Sequence, residues 1–204
     1  MKYVIANYKK RFTLRETLKN IREIDKYNNL IVLPDSNFIK DISVKNIKIG
    51  VQDAFISDNI LDMVNYIMIG HPDYKKINNE TPEVINKFLK EVSKENIIML
   101  NVNSIDELTK CLDGITSFNN IYVLFELEKH IGTSNILDVE EIEKFAVEAR
   151  KLTNNESLIF YGGGIKVNNV DLLHKTSIDG ILVGAASLDN KDLEQIMFRW
   201  TVVW

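Results

Sequence analysis

The sequence predicts a closed (β/α)8 barrel, and three observations carry that prediction. Short apolar runs rich in Val, Ile, Leu and Tyr recur eight times, each the length of a fully buried parallel strand. Segments with helical spacing lie between most of them. Eight such units in 204 residues make one unit per roughly 25 residues, near the floor of an architecture that usually takes about 250. The alternative is an open doubly wound sheet, which usually has fewer strands and carries a glycine-rich turn after its first strand. Here that strand ends in Asn7-Tyr8-Lys9, with no glycine, which favours the barrel.

In chain order the strands fall at Tyr3–Ala6, Leu30–Leu33, Ile47–Val51, Tyr66–Ile69, Ile97–Leu100, Ile121–Phe125, Leu158–Tyr161 and Gly180–Val183. The first connector sets Leu14, Leu18, Ile21 and Ile24 on one helical face. The second, third and seventh are too short for full helices and have room for a turn or two. In the fourth, Thr81 caps a helix that opens on Pro82-Glu83 and buries Val84, Ile85, Phe88, Leu89 and Val92. After the sixth strand, Asp138 precedes acidic residues and a stripe of Ile142, Phe145, Ala146, Ala149 and Leu152. Leu188, Leu193, Ile196, Met197 and Trp200 predict a last helix. With no Pro/Gly/Ser linker and no low-complexity tract, residues 1–204 are read as one domain.

The net charge of -4 supplies no basic face, which argues against nucleic acid as a partner but leaves an anionic small substrate open. The single cysteine, Cys111, cannot form an internal disulfide and is expected to be a small buried hydrophobe in a reducing compartment. Met1 to Ala6 is too short and too quickly polar for a signal segment. No apolar run approaches the ~20 residues of a membrane span. The expected location is cytoplasmic, without membrane contact.

Polar residues close several of the strands, and in an alternating strand–helix protein such residues converge on one rim, where ligands bind. Glu126 ends strand six and is followed by Ile131-Gly132-Thr133-Ser134. A carboxylate at a buried strand end under a loop suits a general base of raised pKa. An isolated Glu would more often just begin a solvated loop. His71 ends strand four after Ile-Met-Ile-Gly, and Lys9 follows strand one. Their ordinary alternatives are a hydrogen-bonded structural histidine and a snorkelling surface lysine, and Asn7 has that of a turn cap. His130 and His174 lack such context and are read as surface or loop residues. Gly162-Gly163-Gly164 and Gly184-Ala185-Ala186-Ser187 end strands seven and eight, where bare backbone can cradle a phosphate. Tight-turn geometry is the alternative there, though two such sites in adjacent units point to phosphate more strongly than either alone.

Together these residues resemble the triosephosphate isomerase family from end to end. Ile5-Ala6-Asn7-Tyr8-Lys9 is similar to its Asn-x-Lys, and Gly70-His71-Pro72-Asp73 to its Gly-His-Ser-Glu. Asn79-Glu80-Thr81 resembles a segment that follows. Phe125-Glu126 with Ile131-Gly132-Thr133 resembles its base and mobile lid, and Tyr161-Gly162-Gly163-Gly164 with Leu182-Val183-Gly184-Ala185-Ala186-Ser187-Leu188 its two phosphate loops. The resemblance implies a TIM barrel and the cofactor-independent, metal-free interconversion of D-glyceraldehyde 3-phosphate and dihydroxyacetone phosphate, within glycolysis and gluconeogenesis. It implies Glu126 as the proton-moving base, His71 as a neutral electrophile and Lys9, helped by Asn7, as the stabiliser of an enediolate. That division of roles is the established one for the family. Gly132, Gly163, Gly164, Gly184 and Ala185 would bind the phosphate end, Ile131 and Leu182 would enclose the base, and Asp73 would support.

The departures from the family pattern are specific. Leu127 stands for the usual proline after the base, Lys129 for the lid tryptophan, and Pro72 for the serine after the histidine. Asp73 is a shorter acid, Gly164 lacks a hydroxyl donor, and Ser134-Asn135 alters the far hinge. The family's long third loop, which reaches into a neighbouring subunit, is cut to Gln52-Asp53-Ala54-Phe55-Ile56-Ser57. A weakened or rearranged homo-oligomer is therefore expected. Two other functions compete with the isomerase. One is a different phosphate-binding barrel isomerase or lyase. The other is a degenerate barrel kept as a binding module, with an apolar tail from Phe198 to Trp204 that packs under the barrel or on a partner.

Overall fold

The computed structural model describes residues 1–55, 58–92 and 94–202. Eight parallel strands close in sequence order: β1 Tyr3–Asn7, β2 Leu30–Leu33, β3 Lys48–Val51, β4 Tyr66–Ile69, β5 Ile97–Val102, β6 Ile121–Glu126, β7 Leu158–Gly162 and β8 Gly180–Val183. β1 pairs with both β2 and β8, so the sheet has no free edge. Several strands run further at their carboxyl ends than the apolar runs predict. β1 takes in Asn7, β5 Asn101 and Val102, β6 Glu126, and β7 Gly162. These polar ends belong to the sheet itself, which holds their side chains more firmly than loops do.

The connectors carry α1 (Leu14–Ile24), α2 (Asp58–Leu61), α3 (Pro72–Lys75), α4 (Pro82–Glu91), α5 (Ile105–Cys111), α6 (Val139–Leu152) and α7 (Asn190–Thr201). Among the described residues, the second, third and seventh connectors hold only 3-10 turns at Ser36–Asp41 and Val170–Lys175 and the four-residue α2. Thr81 accepts the Val84 N–H with Pro82 behind it, and Asp138 accepts the Glu140 N–H, so both expected caps form. Three stripe positions differ. Val92 lies just past α4, as its extended C-cap. Leu188 belongs to a separate 3-10 turn, Ala185–Leu188, because Asp189 caps α7 and starts it one residue later. Leu152 is exposed, because the inward position at the end of α6 is taken by Thr153, whose hydroxyl donates to the Ala149 carbonyl.

Period-two alternation sorts each strand between two cores. Ile5, Leu33, Met68, Met99, Leu124, Phe160 and Leu182 fill the barrel lumen. Val4, Ala6, Val32, Ile98, Val123 and Ile181 face the helices. The same parity, carried one step onward, puts Asn7 above Ile5, Asn101 above Met99, Glu126 above Leu124 and Gly162 above Phe160. The lumen is thus apolar in its body and polar in its last layer.

Below that layer, Phe125 on the outer face of β6 stacks on Phe145 of α6, centroids 4.0 Å apart and ring planes nearly parallel. Such pairs add about 0.5–1.5 kcal/mol beyond the area they bury, and this one braces the strand that carries Glu126. At the opposite end of the barrel, the buried Trp200 donates to the Tyr3 carbonyl at 3.0 Å. Lys2 lies over its ring and His174 stacks on it. The tail packs under the barrel at Trp200, while Phe198 is 57% exposed and residues 203 and 204 lie outside the described residues. Cys111 is a buried free thiol. Among the described residues, no helix is long and apolar enough to cross a membrane.

Candidate active site

A cavity of about 280 Å³ opens at the carboxyl ends of the strands. Asn7, Lys9, His71, Glu126, Ile131, Gly132, Gly163, Gly164, Leu182, Gly184 and Ala185 all line it, from five strands and the loops that follow them. Asp73 stands behind this wall, reached through Lys9. Arg11, Thr133, Ile165, Lys166 and Leu188 complete the lining.

Glu126 ends β6 at only 3% exposure. Among the described residues a single donor reaches its carboxylate, the Asn101 side-chain amide, 2.9 Å from Oε2. The other oxygen, Oε1, lies over Gly162, where a side chain would begin 3.0 Å away and crowd it. Burial disfavours the charged form and pushes the carboxyl up to about 7, against the Asn101 hydrogen bond and the Lys9 charge, which pull it down. A carboxyl poised there is ionised often enough at neutral pH to accept a proton and basic enough to keep it.

His71 follows the Gly70 turn out of β4 and caps α3, with Pro72 at the first helical position where its missing N–H costs nothing. The Asp73 N–H points at His71 Nδ1 at 3.1 Å. A backbone N–H can only donate, so Nδ1 carries a lone pair and the ring proton sits on Nε2. The Gln52 amide donates to the same Nδ1 at 2.9 Å, which reinforces the tautomer. Among the described residues Nε2–H has no acceptor within hydrogen-bond reach, and it faces Glu126 Oε2 at 3.6 Å. Burial lowers the imidazole to about 4, with Asp73 opposing and Lys9 and Lys75 adding to the shift. The ring is neutral at any pH where Glu126 is ionised. Its turn is pinned by Glu80, a buried carboxylate that accepts the Gly70 N–H at 2.6 Å and the Asn78 amide at 2.9 Å.

Lys9 adopts a left-handed backbone with φ of 52°, a conformation that costs a residue with a Cβ about 1–2 kcal/mol. Asn7 offsets part of that cost by accepting the Lys9 N–H on Oδ1 at 3.1 Å, which leaves its buried Nδ2 without a partner among the described residues at the cavity wall. The Lys9 ammonium is 2.8 Å from Asp73 Oδ2, and Gln52 reaches the same oxygen at 3.3 Å. Asp73 and Gln52 therefore tie the ammonium and the imidazole into one frame, built entirely within this chain.

At the other end of the cavity the backbone N–H groups of Gly132, Gly164, Gly184 and Ala185 donate to no acceptor among the described residues. Bare amides around a concavity are an anion cradle that needs no cationic side chain. The segment from Leu127 to Leu137 lies across this cradle. The Tyr161 hydroxyl accepts the Leu137 N–H at 2.8 Å and donates to the Gly163 carbonyl at 3.1 Å. Asn169 bridges the Ser134 and Gly164 carbonyls. Gly164 has to be glycine for this closure, since a side chain there would strike the Asn135 carbonyl and its φ of 73° is left-handed. His130 is less of a surface residue than its sequence context predicts. It is half-buried and its Nδ1 donates to the Asn135 carbonyl at 2.9 Å, which ties the segment to itself.

Two residues of the site carry no motif in the sequence. Asn101 sits one step beyond the apolar run of β5, and only strand parity, Ile97-Met99-Asn101, marks it as facing the lumen. Gln52 reads as part of a shortened loop, with no local sign that it reaches His71 and Asp73.

Comparison with known proteins agrees with this geometry. A family model described as triosephosphate isomerase matches residues 2–199. A triosephosphate isomerase of Mycoplasma mobile is 27% identical, aligned over 94% of this chain and 96% of its own. Those of Alkaliphilus oremlandii and Prochlorococcus marinus are each 30% identical, over 70% and 76% of this chain and 73% of theirs.

Proposed function

The chain belongs to the triosephosphate isomerase family of enzymes, and on that footing we propose that its one barrel domain, residues 1–204, interconverts D-glyceraldehyde 3-phosphate and dihydroxyacetone phosphate through an enediolate. One observation carries the reading. A buried carboxylate and a neutral imidazole N–H stand 3.6 Å apart on the wall of a cavity whose far end is lined with unpaired backbone amides.

In this mechanism the phosphate lies on the N–H groups of Gly132, Gly164, Gly184 and Ala185, with Gly163 shaping the loop. The three-carbon body extends toward Glu126. Glu126 takes a proton from the carbon beside the carbonyl and returns it to the neighbouring carbon, while the hydroxyl proton passes from the oxygen on the first carbon to the oxygen on the second. His71 Nε2–H hydrogen-bonds the carbonyl oxygen on which negative charge develops, and the Lys9 ammonium and the free Asn7 amide stabilise the same charge. Leu182 and Ile131 exclude water from the base. That exclusion strengthens each electrostatic contact and holds the intermediate until it is reprotonated, before phosphate can be lost. Asp73 keeps Lys9 and His71 in register. The same reading puts the enzyme in cytoplasmic glycolysis and gluconeogenesis.

A coupled assay that consumes NADH as dihydroxyacetone phosphate forms tests this directly on purified protein. The expected result is saturable turnover of the triose phosphate. A folded protein that binds phosphate esters and turns none over would make the barrel a binding module instead.

A further inference from the structure

We propose that Asn101 is a positioning residue for Glu126, holding Oε2 so that Oε1 is the atom that takes the substrate proton. The inference rests on the reading of Glu126 as the base.

Asn101 and Glu126 share the inward parity of adjacent strands. Asn101 pairs with Leu124, so Glu126 is its diagonal neighbour on the same face. Its amide donates to Oε2 at 2.9 Å, with both side chains buried. Oε1 accepts no hydrogen bond among the described residues and rests over Gly162, where the absent side chain gives it room. The two oxygens therefore have different environments, one tethered and one bare.

Asn101 does not line the reactant cavity. It lines a second one of about 210 Å³ on the other side of Glu126, together with Pro72 and Asn103. Glu126 lines both cavities, so Asn101 acts on the base from behind and out of reach of the substrate. Lys75, Lys76 and Glu128 share that rear wall, but the two ammonium groups pair with Glu107 and Glu128, and Pro72 has neither N–H nor hydroxyl, so among the described residues the hydrogen bond to Glu126 comes from Asn101. A neutral amide suits the task. It fixes the orientation of the carboxylate and favours its ionised form, yet has no proton acidic enough to surrender to it. Without the tether, no hydrogen bond among the described residues tells the two oxygens apart or sets the rotation of the carboxylate about its last bond.

The test compares pH profiles of kcat/KM for the parent, Asn101→Leu and Glu126→Gln. Leucine keeps the volume and removes the donor. In Asn101→Leu, kcat is expected to fall on the order of 10- to 100-fold, as expected for a misplaced base, while KM changes by less than about 3-fold because no substrate contact is lost. The acid limb assigned to the base should move upward by about one pH unit or more. The limb from the substrate's own phosphate, near pH ~6, stays in place in every active variant. If Asn101→Leu does not fold, Asn101→Ser, too short to reach Oε2, is read by the same limb. An acid limb that coincides with the parent's in a folded variant overturns the positioning role. Should Glu126→Gln itself retain parental turnover, the reading of Glu126 fails and takes this inference with it. An inactive Glu126→Gln beside an unmoved Asn101 limb removes the inference alone.

Discussion

The Nε2 atom of His71 faces Oε2 of Glu126 across 3.6 Å, one side chain 1% exposed and the other 3%. Burial drives the two groups in opposite directions, the imidazole down to about 4 and the carboxyl up to about 7. Both are pushed toward neutrality: the imidazole stays neutral, as its proposed role requires, while the carboxyl is ionised, and so able to act as a base, from about pH 7 upward.

The pH dependence follows. kcat/KM should fall below pH about 7 as Glu126 takes up a proton, and His71 should add no further limb above pH about 4. Substrate-concentration series across pH 5 to 9, a range set by the ordinary spread of these groups at about that interval, check it. A second protein limb near the ordinary histidine value would mean that His71 is charged in the free enzyme.

Stability should respond in a calculable direction. The folded protein favours protonated Glu126, so this group's contribution is complete below the ordinary value of 4.5 and is lost as pH rises to about 7. Above that, the native state carries an unpaired buried charge. Glu126→Gln should therefore be more stable than the parent above neutral pH, by on the order of 2–3 kcal/mol. The gain should shrink to nothing as pH falls to the carboxylate range. Thermal melts of both proteins across that range measure it; a gap that widens toward acid pH would contradict the buried-base description.

Much of this was legible from the residues, and the parts that were not have physical reasons. Eight apolar runs specify the strands because parallel strands buried on both sides leave little else to choose from. Strand ends were harder. Asn101 and Glu126 are polar, so an apolar run stops before them, although the hydrogen-bonded ladder carries on through both. The rim motifs pointed to Asn7, Lys9, His71 and Glu126 because each is a polar residue at the end of an apolar run. The left-handed backbone of Lys9 has no sequence marker, since glycine is the usual sign of that conformation. Gln52 was hidden for another reason. Its partners, His71 and Asp73, lie 19 and 21 residues away along the chain and are brought to it by the pairing of β3 with β4.

Gln52 also bears on assembly. It comes from the shortened third loop and buttresses His71 and Asp73 of its own chain, so the site does not wait on a neighbouring subunit for that support. Specific activity is expected to stay constant on dilution from micromolar to nanomolar protein, with sedimentation showing a monomer or a loose dimer. Activity that collapses on dilution, alongside a tight dimer interlocked through the third loops, would overturn this. Gln52→Leu should lower kcat on the order of 10-fold by loosening the imidazole, with the fold retained.

Lys9 should matter most where charge develops. Lys9→Ala removes the ammonium that Asp73 holds at 2.8 Å, and turnover is expected to drop by about 10²- to 10³-fold, the usual cost of losing one stabiliser of a developing oxyanion. Circular dichroism should be unchanged, because the side chain is a quarter exposed and packs no core. A loss confined to KM would assign Lys9 to binding rather than to the enediolate.

The most direct test of the whole account is isomerisation in D2O, with product deuterium located by NMR. The parent enzyme should place solvent deuterium on the carbon that Glu126 reprotonates, and Glu126→Gln should abolish both turnover and this incorporation. Deuterium appearing at that carbon at the parental rate in folded Glu126→Gln would show that another group moves the proton.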